Sequence, residues 1–229
     1  MIYFKNVSSD DLSLVVKNHG RRQRAKEKIE IIDIPGRNGS YVEHTGTYES
    51  YQRPMTMYLM DLSRQEEVFD LFRGYGELQT SYDEGIFFKA HVVSMVDNVE
   101  ASVSGINELG VTFEINPPFA YHENGKNLIT LTSAGTIING GTCDSEPYYK
   151  IYGTGNGDLQ INGKFISLTG IQSYIEIDME SKEIYKDTLN QGKKLAGKLD
   201  DLKLMPGENT FSWTGGITKI EIIPRWRDY

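Results

Sequence analysis

Four histidines (His19, His44, His91 and His122), one cysteine (Cys143) and 32 acidic side chains are the groups with which this chain could move protons, attack a carbonyl or hold a metal. Their spacing assembles none of these chemistries. No histidine stands three or four residues from a second ligand on a helical stretch, the spacing that puts two metal ligands on one helix face. Cys143 lies in Gly-Gly-Thr-Cys-Asp with no base in sight, and a single cysteine makes neither an internal disulfide nor a thiolate zinc cage. The pairs Asp10/Asp11, Asp83/Glu84 and Asp200/Asp201 are adjacent, so in extended chain their carboxylates point to opposite faces. A hydrolase needs two carboxylates at a set separation, and no such pair is legible. The expectation is a non-enzyme with no catalytic residue, no cofactor and no metal.

Weaker motifs reduce in the same way. Gly153-Thr-Gly-Asn-Gly157 resembles half of a phosphate loop but lacks the Lys-Ser/Thr ending and precedes a strand, so it reads as a hairpin turn. Asp178-Met-Glu180 and Asn156-Gly-Asp158 lack the spaced register and closing Glu of a calcium loop. The basic run 21–28, Arg-Arg-Gln-Arg-Ala-Lys-Glu-Lys, reads as a solvated loop or a charge-guarded strand edge. Trp213 and Trp226 would stack on sugars if exposed, but packing against a core is the commoner fate of a strand Trp.

Composition sets the frame for these residues. The chain has 229 residues, 38% hydrophobic and 24% charged, and its 14 Tyr and 9 Phe supply large surfaces to bury. The start lacks the apolar core of a signal peptide, and no stretch approaches the ~18 apolar residues of a membrane helix. A net charge of −8 argues against a grip on duplex DNA, which needs an excess of Lys and Arg.

Short runs of β-branched, aromatic and Met residues bounded by turn formers predict strands at 29–34, 55–60, 86–96 and 111–115. Asn38-Gly39 and Asp83-Glu84-Gly85 are tight-turn signals. One helix is expected over 61–73, opened by a capping box between Ser63 and Glu66 and laying Phe69 and Phe72 on a sheet. Pro117-Pro118 and the polar stretch 121–127 place a domain boundary near residue 125, giving domains 1–125 and 126–229. Beyond it, strands at 148–152, 159–161, 174–177, 183–185, 210–213 and 217–223 without a helix between them predict a β-sandwich.

Ile34-Pro35-Gly36-Arg37-Asn38-Gly39 follows an N-terminal strand pair, and the single helix carries Leu71-Phe72 before Tyr75-Gly76. A hairpin ends in Thr112-Phe-Glu-Ile-Asn-Pro-Pro-Phe-Ala-Tyr121, and Pro224-Arg225-Trp226-Arg227 closes the chain. Together these segments resemble the distal tail protein (Dit) family of long, non-contractile-tailed bacteriophages. Pro206-Gly-Glu-Asn-Thr210, Ser212-Trp213-Thr-Gly215 and Ile220-Glu-Ile222 fit the same family's C-terminal domain.

The resemblance implies a mainly β protein. Its N-terminal domain is a tail-tube-like β-sandwich or split barrel with one α-helix and a long β-hairpin, and its C-terminal domain a β-sandwich like galectins and carbohydrate-binding modules. It implies a structural virion protein of the tail, encoded by a phage or prophage, whose first domain closes a hexameric ring able to pair back to back with another. The ring joins the tail tube and the tape-measure end to the host-adsorption apparatus and its receptor-binding protein, and genomic DNA passes through unbound. Pro35, Gly36, Arg37, Asn38, Gly39, Trp213, Gly215, Pro224, Arg225, Trp226 and Arg227 are its signature residues here, with structural roles. The residues themselves nominate the hairpin 89–115, with its small and polar tip at 98–107, for contact with a neighbour in the ring. The alternative function is an adhesin gripping cell-wall polysaccharide, for which an exposed Trp213 or a one-faced cluster of Tyr148, Tyr149 and Tyr152 would be the mark.

Overall fold

The structure, a computed structural model, describes residues 1–98 and 106–229. The chain divides into two compact units, residues 1–120 with Tyr229, and residues 121–228. Both are built of curled β-sheet, and α1 is the one α-helix among the described residues.

The first unit contains β1 (Ile2–Phe4), β2 (Val7–Ser8), β3 (Leu14–Asn18), β4 (Lys26–Ile32), β5 (Tyr41–Glu49), β6 (Tyr51–Leu59), α1 (Gln65–Leu71), β7 (Tyr75–Thr80), β8 (Ile86–Asn98) and β9 (Asn107–Ile115); β10 (Ala120–His122) begins at its end. The main sheet runs β2-β1-β7-β8-β9-β6-β3. Strict alternation explains its one buried face: Met55, Met57 and Leu59 on β6 and Leu109, Val111, Phe113 and Ile115 on β9 point inward, while the residues between them face out. Val68 and Phe72 from the helical segment close over this face, with Phe72 stacked on Phe4 at 6.0 Å.

The helix is shorter than the sequence predicts and is capped differently. A 3-10 turn, Leu62–Arg64, precedes it, and the Asp61 carboxylate accepts from the Ser63 N–H at 3.0 Å and from its hydroxyl at 2.6 Å. Asp61, two residues upstream, is thus the N-cap, and the turn it starts at Leu62 places Ser63 inside the helical segment instead of at its cap; Val68 rather than Phe69 is the fully buried position.

The second unit contains the rest of β10, β11 (Ile129–Leu131), β12 (Gly135–Asn139), β13 (Tyr148–Ile161), β14 (Lys164–Asp178), β15 (Glu183–Lys186), β16 (Leu189–Asn190), β17 (Leu195–Ala196), β18 (Gly207–Trp213), β19 (Ile217–Ile223) and β20 (Arg227–Asp228). The sheet order is β11-β19-β13-β14-β15-β16, with β18 also on β13, β12 on β18 and β17 on β14. Ile151, Leu159, Ile161, Ile166, Leu168, Ile175, Ile177, Ile220 and Ile222 fill its core.

Here the sequence reading breaks one strand into two. Gly153-Thr-Gly-Asn-Gly157 is no hairpin turn; it lies inside the 14-residue β13, which pairs with β14 from Tyr148↔Asp178 to Ile161↔Lys164. The glycines are needed for close approach rather than for a reversal. A Cβ on Gly153 would sit 2.3 Å from the Gly216 carbonyl oxygen, and the register shifts between Gly155 and Gly157, a bulge that bends the strand. The true turn is Asn162-Gly163, both at positive φ (51° and 80°), which joins β13 to β14 in two residues.

Candidate functional site

Three groups of residues stand out, two of them containing the predicted signature positions. The first is the pair β4 and β5, a two-stranded sheet of its own. Register pairs Ile29↔His44, Ile31↔Val42 and Ile32↔Tyr41 put aliphatic side chains on both faces of this ribbon. They stay in solvent: Ile31 is 65% exposed, and Ile29, Ile32, Tyr41 and Val42 between 43% and 48%. Pro35, Gly36, Arg37, Asn38 and Gly39 form its exposed tip, where the Arg37 N–H donates to the Ile34 carbonyl at 3.1 Å and Gly36 and Gly39 both take φ of 82°. On the ribbon Glu30 directly faces Glu43, a like-charge pair that weakens it further.

The second group is the end of the chain, which stitches the second unit closed. Arg225 grips Asp178 with two hydrogen bonds, Nη1 to Oδ1 at 2.7 Å and Nη2 to Oδ2 at 2.9 Å, and lies 3.3 Å from Glu180. Arg227, 4% exposed at its side chain, donates to Glu146 at 3.0 Å and to the Asp144 carbonyl at 2.7 Å. Between them Trp226 is buried in the core, and its carbonyl accepts from the His122 N–H at 2.9 Å. Pro224 is buried. Gly125 and Gly141 make room for this segment: a Cβ on either would fall within 2.5 Å of the backbone of Trp226 or Arg227. Trp213 is half-buried against the same core and Gly215, at φ 70°, turns β18 toward β19.

The third group is the outer face of β13, β14 and β19. Strand alternation splits the tyrosines, so Tyr149 is fully buried and only Tyr148 and Tyr152 face outward. The one-faced cluster of three is therefore not formed. Tyr148 donates to Glu176 at 2.5 Å, Tyr152 to Glu221 at 2.8 Å and Tyr174 to Asp187. Lys150 lies 4.1 Å from the Tyr174 ring centre and Lys219 3.9 Å from that of Tyr152. Each ring thus carries an ammonium, and the hydrogen bond to Asp187 helps push the Tyr174 phenol up to about 12.

The remaining chemistry-bearing residues stay apart. His44 pairs with Glu27 and His122 with Asp228, both at 2.9 Å, while His19 and His91 lie against Tyr82 and Tyr75. Cys143 is buried, which pushes its thiol up to about 12. Among the described residues no group of three or more His, Cys, Asp or Glu is placed to hold a metal, and no helix is long and apolar enough to cross a membrane. The hairpin 89–115 is β8 and β9, whose bases are central strands of the main sheet; its tip, residues 99–105, lies outside the described residues.

One cluster is missed by the sequence motifs, although strand alternation carries a signal for it. Arg53 and Asp83, 3% and 4% exposed, pair at 3.1 Å; Asp83 also accepts from Thr80 at 2.6 Å, and Arg53 donates to the His19 carbonyl at 2.9 Å and stacks over Phe88. An arginine in a Tyr-Gln-Arg-Pro-Met strand reads as an outward residue, but the period puts position 53 on the inward face with Tyr51 and Met55.

This architecture aligns over 96% of the chain with a solved phage protein. The crystal structure of the SPP1 Dit protein, a paradigm of the hub adsorption apparatus in phages infecting Gram-positive bacteria, superposes with a TM-score of 0.72 at 12% identity, covering 96% of each chain. In fold, the chain is similar to Dit. The phage P2 baseplate in its activated conformation, with Ca or with Sr, gives a TM-score of 0.51 at 10% identity, again over 96% of each chain. At such identities the likeness to Dit is one of fold, which by itself assigns no activity. No protein-family model matches the chain, and no curated protein matches it.

Proposed function

We propose that this chain is a structural protein of a phage tail, a distal hub whose first unit closes a hexameric ring and whose second unit docks the host-adsorption apparatus. The observation that carries the ring is the ribbon β4–β5. A two-stranded hairpin is marginal in water on its own, and this one adds exposed Ile29, Ile31, Ile32, Tyr41 and Val42 and the opposed Glu30 and Glu43. Laid on a neighbouring copy it buries those side chains, and a head-to-tail contact of this kind closes into a ring when the rotation allows. This moves the ring contact from the hairpin 89–115 to the ribbon. The Dit-like fold supports the hub role, in which the ring joins tail tube and tape-measure end to a receptor-binding protein within the virion tail. A net charge of −8 suits a conduit that DNA passes without being held. The second unit acts as a galectin-like adaptor, and no residue catalyses a reaction. The adhesin alternative gains no support from the outer sheet face, where lysines already cover the Tyr152 and Tyr174 rings.

Light scattering after size exclusion tests the ring. The expected wild-type mass is that of six chains, or of two such rings, and Ile31→Glu with Val42→Glu reduces it to one chain that keeps the wild-type far-UV circular dichroism, with a midpoint lowered only by the lost association. A wild-type mass of one chain at every concentration overturns the reading.

A further inference from the structure

The 17 residues 127–143 contain no charged side chain and no proline, in a chain that is 24% charged. They build β11, β12 and the turns around them. β12 pairs with β18 through five unbroken register positions, Gly135↔Phe211 to Asn139↔Gly207, and with no other strand among the described residues. Its far edge is open. Soluble proteins guard such edges with Lys, Pro, an inward charge or a bulge, because unpaired N–H and C=O groups are a template for another strand. β12 carries none of these guards.

The edge is also preformed and sticky. The Asn139 amide donates to the carbonyls of Cys143 (3.1 Å) and Leu204 (3.0 Å) and accepts from the Gly141 N–H (2.8 Å), which pins the end of the strand. Ile137 is buried below, while Ile138, 71% exposed, is the most exposed aliphatic side chain among the described residues. A rigid edge loses little entropy when a strand is added to it.

We propose that β12 is the docking edge for an extended segment of a partner protein, which joins the sheet as a further strand. The chemistry of the edge specifies the segment. Its backbone must be free to form a ladder, so it lacks proline. A charge on its inward-facing positions would be desolvated beside buried Ile137 and Asn139, so those positions are neutral. Ile138 on the outward face selects an aliphatic or β-branched side chain at alternate positions. The edge belongs to the second unit and does not depend on the ribbon of the first.

The test pans the full chain against a library of random displayed nonapeptides, then titrates a synthetic copy of the enriched peptide and follows amide hydrogen exchange. The expected peptides are neutral, proline-free and β-branched at alternate positions, and they slow exchange within 135–139. Thr136→Lys and Ile138→Lys, both at exposed positions, weaken binding by roughly tenfold or more, which corresponds to at least about 1.4 kcal/mol, at an unchanged unfolding midpoint. No enriched peptide, a charged consensus, protection elsewhere, or binding untouched by both lysine variants overturns the proposal. A mass that halves on Ile138→Lys also overturns it, in favour of a second copy of this chain as the occupant.

Discussion

Arg225 and Asp178 face each other as a bidentate pair across the second unit, with both guanidinium-to-carboxylate bonds between 2.7 and 2.9 Å. The pair fastens the last turn of chain to the end of β14, and it connects sequence positions 47 residues apart.

Stability should therefore depend on pH through Asp178. Burial alone raises its carboxyl, but the bonds and charge of Arg225, with the N–H groups of Glu180 and Ser181, outweigh it and hold the carboxyl below its usual value. A group depressed in the folded state stabilises above its unfolded pKa, about 3.9, and loses that contribution as pH falls through the lower folded value. The unfolding free energy of the wild type should fall from about pH 5 toward about pH 2, a window that spans the unfolded value and the lower folded one, and Arg225→Ala should flatten that fall. At pH 7 the same variant should cost about 1–3 kcal/mol in urea unfolding.

The buried pair of Arg53 and Asp83 should behave asymmetrically. Asp83→Ala leaves a guanidinium stranded at 3% exposure and should cost about 3–5 kcal/mol. Adding Arg53→Met removes the stranded charge and should recover most of that loss. Chemical denaturation of the single and double variants measures it; a double variant no better than the single would mean the cost lies in packing on Phe88.

Gly216 should tolerate no side chain. Its Cβ would fall 1.8 Å from the Thr154 carbonyl oxygen, so Gly216→Ala must push β13 away from the turn before β19 and should cost at least about 1–3 kcal/mol. Gly207→Ala is the comparison: nothing stands near its Cβ, and the expected cost is the roughly 1–2 kcal/mol of a left-handed alanine.

Cys143 should be inert in the folded protein. Burial moves its thiol to about 12, so a thiol reagent at pH 8 should label the native chain more slowly than the urea-unfolded chain by roughly a thousandfold. Equal rates would show that the loop around Asn139 opens freely.

The sequence by itself determined what depends on neighbours along the chain. Runs of β-branched, aromatic and Met residues declared β6, β8 and β19, Asp83-Glu84-Gly85 declared a turn, and the lack of partnered histidines and cysteine argued against catalysis. Local reading failed where distant backbone sets the conformation. Gly153 to Gly157 looks like a turn because glycine permits one, yet pairing with β14 carries the strand through it as a bulge, and the close approach of Gly153 to Gly216 leaves no room for a side chain. Asp61 stands as the cap because its carboxylate, two residues upstream, accepts the Ser63 N–H and hydroxyl and so starts the helical segment before Ser63. Only the tertiary structure decided what a given residue meets. It buried Arg53 on Asp83, divided Tyr149 from Tyr148 and Tyr152, and joined Arg225 and Arg227 to carboxylates near the start of β13 and the end of β14. It also left the ribbon β4–β5 and the edge of β12 open to solvent. Apolar sequence records a need for burial, but whether that need is met inside the chain or by a partner depends on packing across the fold, which periodicity does not encode.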